Sequence, residues 1–415
     1  MRTFLTIFIA LLLFGCNLSK NDNEITIVNP TDKNRADEAI TISKEKLATL
    51  ITSVEEGLFP LLKDANGEII PSQIDDLDKD GNWDELFFLI DLKASEIKII
   101  NVSFIEKKDV PTFTVRSNVR FADMTSEHVE LDGAERLKST DSPNSQKYFT
   151  MEGPAWENDK VAFRNYYDAR SGFDIFGKRT SKMVLDKVGL TAHSYHVPAD
   201  WGMDILKVGN SLGAGAIAIK KDGQLYTFAD AKSKEPIFES GTVAILADGP
   251  LRSIVQMKVN NWNVVGDNYN LTHEISIWGG TQFYRSKITV SGLKGGESLI
   301  TGIVNIDSDS LIFMEPNDKF VFLATHDNQA YDGEKLGMGI LIKKSNFIAH
   351  IEAPEKGKGI VKTYMAEIKL ENEKPVGFCF YSGWEFQDEK FQNANYFIDL
   401  IKNDAQKFAN KVVLK

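Results

Sequence analysis

Short apolar runs with a period of two recur along this chain, and they restrict the fold more than any other feature. Glu24-Ile25-Thr26-Ile27-Val28, Leu86-Phe87-Phe88-Leu89-Ile90, Ile97 to Phe104, Ala214 to Ile219 and Ile275-Ser276-Ile277-Trp278 are of this kind. Successive side chains of an extended strand alternate faces, so such runs put one face of a sheet into a core. Gly, Asn and Asp turns separate them, as in the hairpin-type Lys221-Asp222-Gly223-Gln224. The expectation is a mainly β protein, with a small N-terminal β-sandwich followed by a large antiparallel β domain. A clear helical pattern occurs only near the end. Ala394, Phe397, Ile398, Ile401, Ala405, Phe408 and Ala409 fall on one helical face. No repeat of fixed period is present, which disfavours a propeller or solenoid.

The small sandwich is expected over residues 24–108. The charged run Glu106-Lys107-Lys108-Asp109-Val110-Pro111 marks its boundary, and residues 111–415 form the large domain that carries the active site. Arg2, the apolar run Phe4 to Phe14 and Gly15-Cys16 read as a secretory signal over residues 1–15. The apolar run is shorter than the roughly 20 residues needed to span a bilayer. A cysteine directly after Leu13-Phe14-Gly15 reads as a lipobox. Cys16 is then lipidated, residues 16–23 form a polar tether, and the protein is exported and held on a bacterial outer membrane by lipid alone. The alternative is an ordinary signal peptide with an incidental cysteine. Cys379, the other cysteine, lies in an apolar strand-like run and reads as a small buried hydrophobe.

The net charge is −11, with acidic and basic residues interspersed. Nucleic-acid binding would need a basic face and is excluded as a reading. An anionic substrate remains compatible with this charge if the basic groups are local.

Asp76, Asp78, Asp80 and Asp84 alternate through Asp76-Leu77-Asp78-Lys79-Asp80-Gly81-Asn82-Trp83-Asp84. Closely spaced carboxylates before glycine can wrap Ca²⁺, which takes oxygen ligands on a tight loop. Phe87 stands where an EF-hand needs Glu, so this is no EF-hand. A structural Ca²⁺ or an acidic turn between strands are the two readings, and no cofactor is required.

The richest stretch for chemistry is 152–206. Read as one strand, Val161 to Arg170 puts Arg164, Tyr166, Asp168 and Arg170 on one face, a set suited to a sugar acid. A salt-bridged ladder on a solvated face explains the same residues. Lys178 and Arg179 follow on a turn. His193, Tyr195 and His196 precede Asp200 and Trp201. His is the side chain suited to proton transfer near neutral pH, Asp200 could orient it, and Trp201 could stack on a sugar. If the segment is extended, His193 and Tyr195 face one way and His196 the other. The glycines from Lys207 to Gly215 lack a phosphate-loop ending and fit close backbone packing. His273 reads as a core histidine, Glu274 and Arg285 as a cross-strand pair, and His326 as a spare loop candidate. No Gly-x-Ser-x-Gly elbow is present, so a serine-hydrolase mechanism has no support.

Three long motifs carry a resemblance. They are Pro71 to Leu86, Tyr167-Asp168-Ala169-Arg170 with Asp174-Ile175-Phe176-Gly177-Lys178, and Asp200-Trp201-Gly202-Met203-Asp204 to Gly209. With them the chain resembles a Bacteroidetes lipoprotein family long labelled as of unknown function, whose members accompany polysaccharide-degrading enzymes. It is also similar to the ulvan oligosaccharide dehydratases of marine flavobacteria. That resemblance implies a β-supersandwich of the galactose-mutarotase type. It also implies elimination of water from a non-reducing-end uronic acid, leaving a 4,5-unsaturated uronate.

Such an elimination needs a cation on the carboxylate, a base at C5 and an acid at the departing oxygen. By residue chemistry, Arg164 or Arg170 serves as the clamp, His196 or His193 as base, and Tyr166 or Tyr195 as acid. Arg170, Asp168, Lys178, Asp200, Trp201 and Lys207 bind substrate. The partner is an acidic oligosaccharide, and the oligomeric state is left open. A glycoside hydrolase using two of Asp168, Asp174, Asp200 and Asp204, or a non-catalytic glycan-binding lipoprotein, are the rival readings.

Overall fold

The computed structural model describes residues 23–415 apart from 53, 126, 133, 137–147, 169–170, 191–193 and 234. The segment expected to be a signal, Cys16, Arg170 and His193 lie outside the described residues. The strands form five sheets, and the pairings between named strands are antiparallel. The mainly β expectation therefore holds, including the closing helix, Ala394–Ala409.

A nine-stranded sheet is the spine of the molecule. It runs from Ile312–Met314 through Phe320–Asp327, Leu336–Lys343, Val376–Trp384, Phe283–Ser291, Asp267–Trp278, Arg252–Val264 and Ser240–Asp248 to Ala134–Arg136. Alternation decides what each face does. Phe378 and Phe380 enter the large core, while their neighbours Cys379 and Tyr381 enter the core beneath the helix. Val321 and Leu323 likewise oppose Phe320 and Phe322.

Two five-stranded sheets complete the large core. One is built on Ala214–Lys221, Ser298–Val304 and Thr363–Lys369. The other orders Gly202–Asp204, Phe173–Lys178, Ala162–Asn165, Ala155–Asn158 and Ser117–Arg120. The opposite face of the spine takes the helix, through Phe397, Ile398, Ile401 and Ala405. Glycine makes that docking close. A Cβ at Gly337 would come within 2.6 Å of the Phe397 ring, so the helix would have to lift off.

The N-terminal residues form a separate small sandwich. Arg35–Ser43, Glu85–Leu92 and Ser72–Asp75 make one sheet; Glu24–Val28, Ile97–Ile105 and Phe59–Lys63 belong to the other. Ile25, Ile27, Leu62, Leu86, Phe88, Ile100 and Val102 meet between them. One strand departs from the expected division of the chain. Val413–Leu414, expected in the large domain, pairs with Val28 and Ile27 on the edge of the small sandwich. The interface to the spine is polar as well as apolar. Arg252 is bound by Asp75 and Glu85, Arg116 takes Asp37 through both Nη atoms, and Gln73 Oε1 accepts from the Leu251 and Arg252 amides.

Cys379 is buried, as its run predicts, and burial pushes its thiol pKa up. His273 is buried too, 2.6 Å from the Ser286 hydroxyl and stacked on Phe173; burial pushes its pKa down to about 3. His326 is a correction. It sits in the strand Phe320–Asp327 rather than a loop, buried, with Nε2 2.7 Å from the Phe391 carbonyl. Glu274 pairs across the sheet with Lys287 at 3.0 Å, and Arg285 stands opposite Ser276 instead. The register is two residues off the expected pair. The glycines after Lys207 do serve close packing: a Cβ on Gly213 would meet the Phe173 carbonyl oxygen at 1.9 Å.

Candidate functional site

The site grows from one hairpin. Ala162–Asn165 and Phe173–Lys178 pair antiparallel, with Arg164 opposite Asp174. Phe176 then pairs with Asp204 on the next strand, so Asp174 and Asp204 are aimed from neighbouring strands. Both carboxylates reach Arg164. Its Nη2 lies 2.7 Å from Asp174 Oδ2 and 2.6 Å from Asp204 Oδ2, and its Nη1 lies 3.2 Å from Glu152 Oε2. Nη2 also donates to the Tyr166 hydroxyl at 2.8 Å, and Nη1 to the Met151 carbonyl and the Tyr195 hydroxyl.

This corrects the role expected of Arg164. Its side chain is 0% exposed and every guanidinium nitrogen already has a protein acceptor. Such a group does not clamp a substrate carboxylate; it holds three protein carboxylates in fixed places. Burial works against its charge, but Asp204 and Asp174 outweigh that and hold its pKa well above the usual value. The expected single strand over 161–170 is also shorter than its pattern. Regular pairing stops at Asn165, and Tyr166 and Asp168 follow in the connection, both buried.

Asp174 responds to the crowding. Burial first, then Asp204, push its carboxyl up to about 6. The Tyr166 hydroxyl donates to the same Asp174 oxygen that Arg164 holds, and burial raises the Tyr166 pKa. Glu152 enters the cluster through backbone strain. Met151 and Glu152 both adopt left-handed φ, 54° and 65°, ahead of Gly153 at 152°. Left-handed backbone at two consecutive non-glycine residues costs energy and is a mark of sites that need a fixed side-chain direction. A Cβ at Gly153 would meet the Asn165 carbonyl at 2.2 Å, so only glycine completes that bend.

His196 is the solvent-facing member. Residues 195–196 form a turn rather than an extended segment, and Tyr195 and His196 lie together with ring centroids 4.5 Å apart. His196 Nδ1 is 3.3 Å from Asp204 Oδ2, and the His196 side chain is 47% exposed. The hydrogen bond to Asp204 is the main cause of a raised His196 pKa; partial burial opposes it. With Nδ1 aimed at Asp204, Nε2 is the nitrogen left to exchange a proton outside. Asp204, not Asp200, is therefore the carboxylate that orients this histidine. Asp200 is exposed on the turn. The Tyr195 hydroxyl is held by Arg164, and burial keeps its pKa above the ordinary phenol value.

Trp201, half-buried, reaches this group through Phe176. Phe176 stands edge-on between Tyr195 and Trp201, at 5.7 and 6.1 Å. The Arg179 amide donates to the Trp201 carbonyl at 2.8 Å, and its exposed guanidinium lies over the Phe386 ring. Phe386 is 51% exposed. Arg179, Phe386 and His196 are exposed, and Trp201 is half-buried. Arg179 makes no carboxylate pair among the described residues.

Two other expected substrate contacts are elsewhere. Lys178 is buried with Glu157, both side chains 0% exposed, and its Nζ also donates to the Asn158 carbonyl at 2.6 Å. Burial lowers the Lys178 pKa despite Glu157. Strand alternation turns Lys178 inward while Arg179 faces out. Lys207 is exposed and pairs with Asp307 at 3.0 Å. Between the strands Ser72–Asp75 and Glu85–Leu92, Asp76, Asp78 and Asp84 each place one carboxylate oxygen within 4.8 Å of the others. Asp80 is outside that trio and accepts from the Asn82 amide instead. Asp76 and Asp84 also accept loop amides, from Gly81 and Leu77, so the acidic turn is built whether or not a cation joins it.

Among the described residues no helix is long and apolar enough to cross a membrane. The chain belongs to the family described as "Domain of unknown function (DUF4861)", which matches residues 27–414. It is 26% identical over 407 residues to "Uncharacterized protein P7" of Formosa agariphila, a match covering 92% of this chain and 91% of that one. Among solved structures it resembles an α-mannosidase from Enterococcus faecalis, at TM-score 0.46 and 9% identity over 95% of this chain. The match covers 46% of that mannosidase, so the chain spans about half its length. A putative aldose 1-epimerase from Klebsiella pneumoniae matches at TM-score 0.31 and 10% identity, over 71% of this chain and 97% of that one.

Proposed function

We propose that this family member is a carbohydrate-active carbon–oxygen lyase, a dehydratase of non-reducing-end uronic acids in ulvan-like oligosaccharides. The observation that carries the reading is the half-exposed His196, whose Nδ1 is held by the buried carboxylate of Asp204. His196 Nε2 takes the C5 proton of the uronate. The electron pair left at C5 forms the C4–C5 double bond as the C4–O bond breaks, and the departing oxygen leaves as water with one proton from an acid. Tyr195, whose phenol burial keeps protonated, is the acid of this scheme. Tyr166 is tied to Asp174. Arg179 replaces Arg164 as the cation that neutralises the uronate carboxylate, because it is exposed and makes no ion pair among the described residues. Trp201 and Phe386 offer faces for the sugar.

A hydrolase would need two carboxylates across an open cleft. Asp174 and Asp204 are instead buried on the same Arg164 nitrogen. In this proposal the protein is exported and lipid-anchored through Cys16, and a Ca²⁺ on Asp76, Asp78 and Asp84 would be structural only.

The test is incubation with glucuronate-terminated ulvan oligosaccharides, followed by mass spectrometry and ultraviolet absorbance. A product lighter by one water with new alkene absorbance supports the reading. Chain cleavage without that loss, or unchanged substrate across an acidic-glycan panel, sinks it. Undiminished turnover in His196→Ala and Arg179→Gln would remove the site assignment.

A further inference from the structure

A cavity of about 770 Å³ lies between the small sandwich and the nine-stranded sheet, roofed in part by the end of the helix. That volume is within the range of small-ligand sites, and junctions between domains are where such sites concentrate. Cations outnumber carboxylates in its lining, although Arg252, Lys287 and Lys407 are already paired. Six cationic side chains and three carboxylates line it, in a chain of net charge −11. The three carboxylates are already matched: Asp37 by Arg116, Glu38 by Arg35, and Asp404 by Lys407. Arg285, Lys343 and Lys411 have no carboxylate partner among the described residues, and all three are exposed to the cavity side.

Arg285 is held in place. Its guanidinium carbon lies 4.9 Å from the centre of the Trp278 ring and 5.5 Å from that of Phe408. Stacking on aromatic rings fixes a guanidinium, and Cys379 takes one hydrogen bond from this one; its remaining in-plane N–H groups match a carboxylate or sulfate. A surface arginine kept only for solubility has no need of two rings. Gln282 and Asn346 add neutral hydrogen-bonding groups to the wall.

We infer that this cavity is a second binding site, separate from His196, which holds an anionic segment of an acidic oligosaccharide through Arg285, Lys343 and Lys411. The anion preference stands on the charges of the cavity. That the anion is a saccharide rests on the function proposed above. The site would retain a chain whose end is processed elsewhere, or collect chains near the membrane for that purpose.

The experiment is calorimetric titration of the full chain with a uronic-acid trisaccharide, its carboxyl-reduced neutral counterpart, and sodium sulfate alone. The trisaccharide is expected to bind, and the neutral counterpart at least about tenfold more weakly, since a charge-assisted contact is lost at each ring. Arg285→Gln and, at exposed positions, the double variant Lys343→Glu/Lys411→Glu are each expected to weaken trisaccharide binding about tenfold or more. His196→Ala should leave this binding in place. Unfolding curves identify any variant that misfolds, and the exposed double variant then carries the test. Equal trisaccharide affinity in the wild type and the folded variants overturns the inference. So does sulfate binding as tightly as the trisaccharide, which would make the cavity an ion site only. Loss of the dehydration product without loss of cavity binding would refute the proposed reaction and leave the anion site standing.

Discussion

Asp204 Oδ2 is shared: His196 Nδ1 approaches it from the solvent side at 3.3 Å, and Arg164 Nη2 holds it from within at 2.6 Å. The surface imidazole is thereby tied to a buried guanidinium through a single oxygen. Whatever proton His196 takes up or gives away is felt by Asp204, and through it by the interior.

The pH dependence of activity should report this contact. Asp204 raises the His196 pKa, chiefly by hydrogen bonding. If the neutral imidazole is the base, kcat/KM rises with pH through a value above that of an ordinary histidine. In Asp204→Asn the negative charge is gone, so the His196 pKa falls and the acidic limb moves to lower pH. The expected variant therefore has a lower plateau and a limb displaced toward acid. Proton NMR titration of His196 in both proteins checks the pKa itself. An unmoved titration would separate His196 from Asp204.

Arg164 should matter for stability before it matters for turnover. Arg164→Met leaves Glu152, Asp174 and Asp204 close together without their cation. Breaking a buried pair this way costs about 3–5 kcal/mol, and urea unfolding should show a loss of that order. Asp174 gives a second signature. Its folded pKa, about 6, lies above that of the unfolded carboxyl, so the native state binds the extra proton. Its contribution is present at low pH and is lost as pH rises through about 6. Asp174→Asn should remove that slope, so the stability difference between wild type and variant changes across pH 4 to 7. A constant difference would refute the raised pKa.

Lys178 offers the contrast between a structural and a substrate-binding cation. Its partner Glu157 also accepts the Val184 and Leu185 amides, at 2.7 and 2.8 Å. Lys178→Ala should therefore destabilise by about 3–5 kcal/mol, as expected for a broken buried pair. Any folded fraction should keep its KM. Arg179→Gln, one residue along, should do the reverse, raising KM with little change in the unfolding midpoint. Equal KM effects from the two would show that Lys178 reaches substrate after all.

The sequence displays the fold more openly than the site, for physical reasons. Period-two runs such as Phe378-Cys379-Phe380-Tyr381 announce a sheet with cores on both faces, and the 394–409 stripe announces its helix. Register is not written so plainly: Glu274 faces Lys287 rather than Arg285 because turn geometry sets the pairing. At the site, alternation groups Arg164 with Tyr166, and they do touch. It cannot say which face of a short strand is interior. An ion cluster and a substrate cleft use the same residue types, so Arg164 and Lys178 read as ligands when they are buried supports. Glu152 enters through two left-handed residues that carry no glycine, a conformation that no local pattern signals. Asp204 stands eight residues after His196, and only the turn at 195–202 brings it back beneath the ring.

The pairing of Val413–Leu414 with Ile27 and Val28 has a consequence for assembly. The partners are separated by nearly the whole described chain, so the small sandwich, although made early, keeps an unsealed edge until residues 413–414 have been made. Open strand edges recruit other chains. Val413 and Leu414 act as a latch, and the protein is most exposed to mispairing in the interval before that latch arrives.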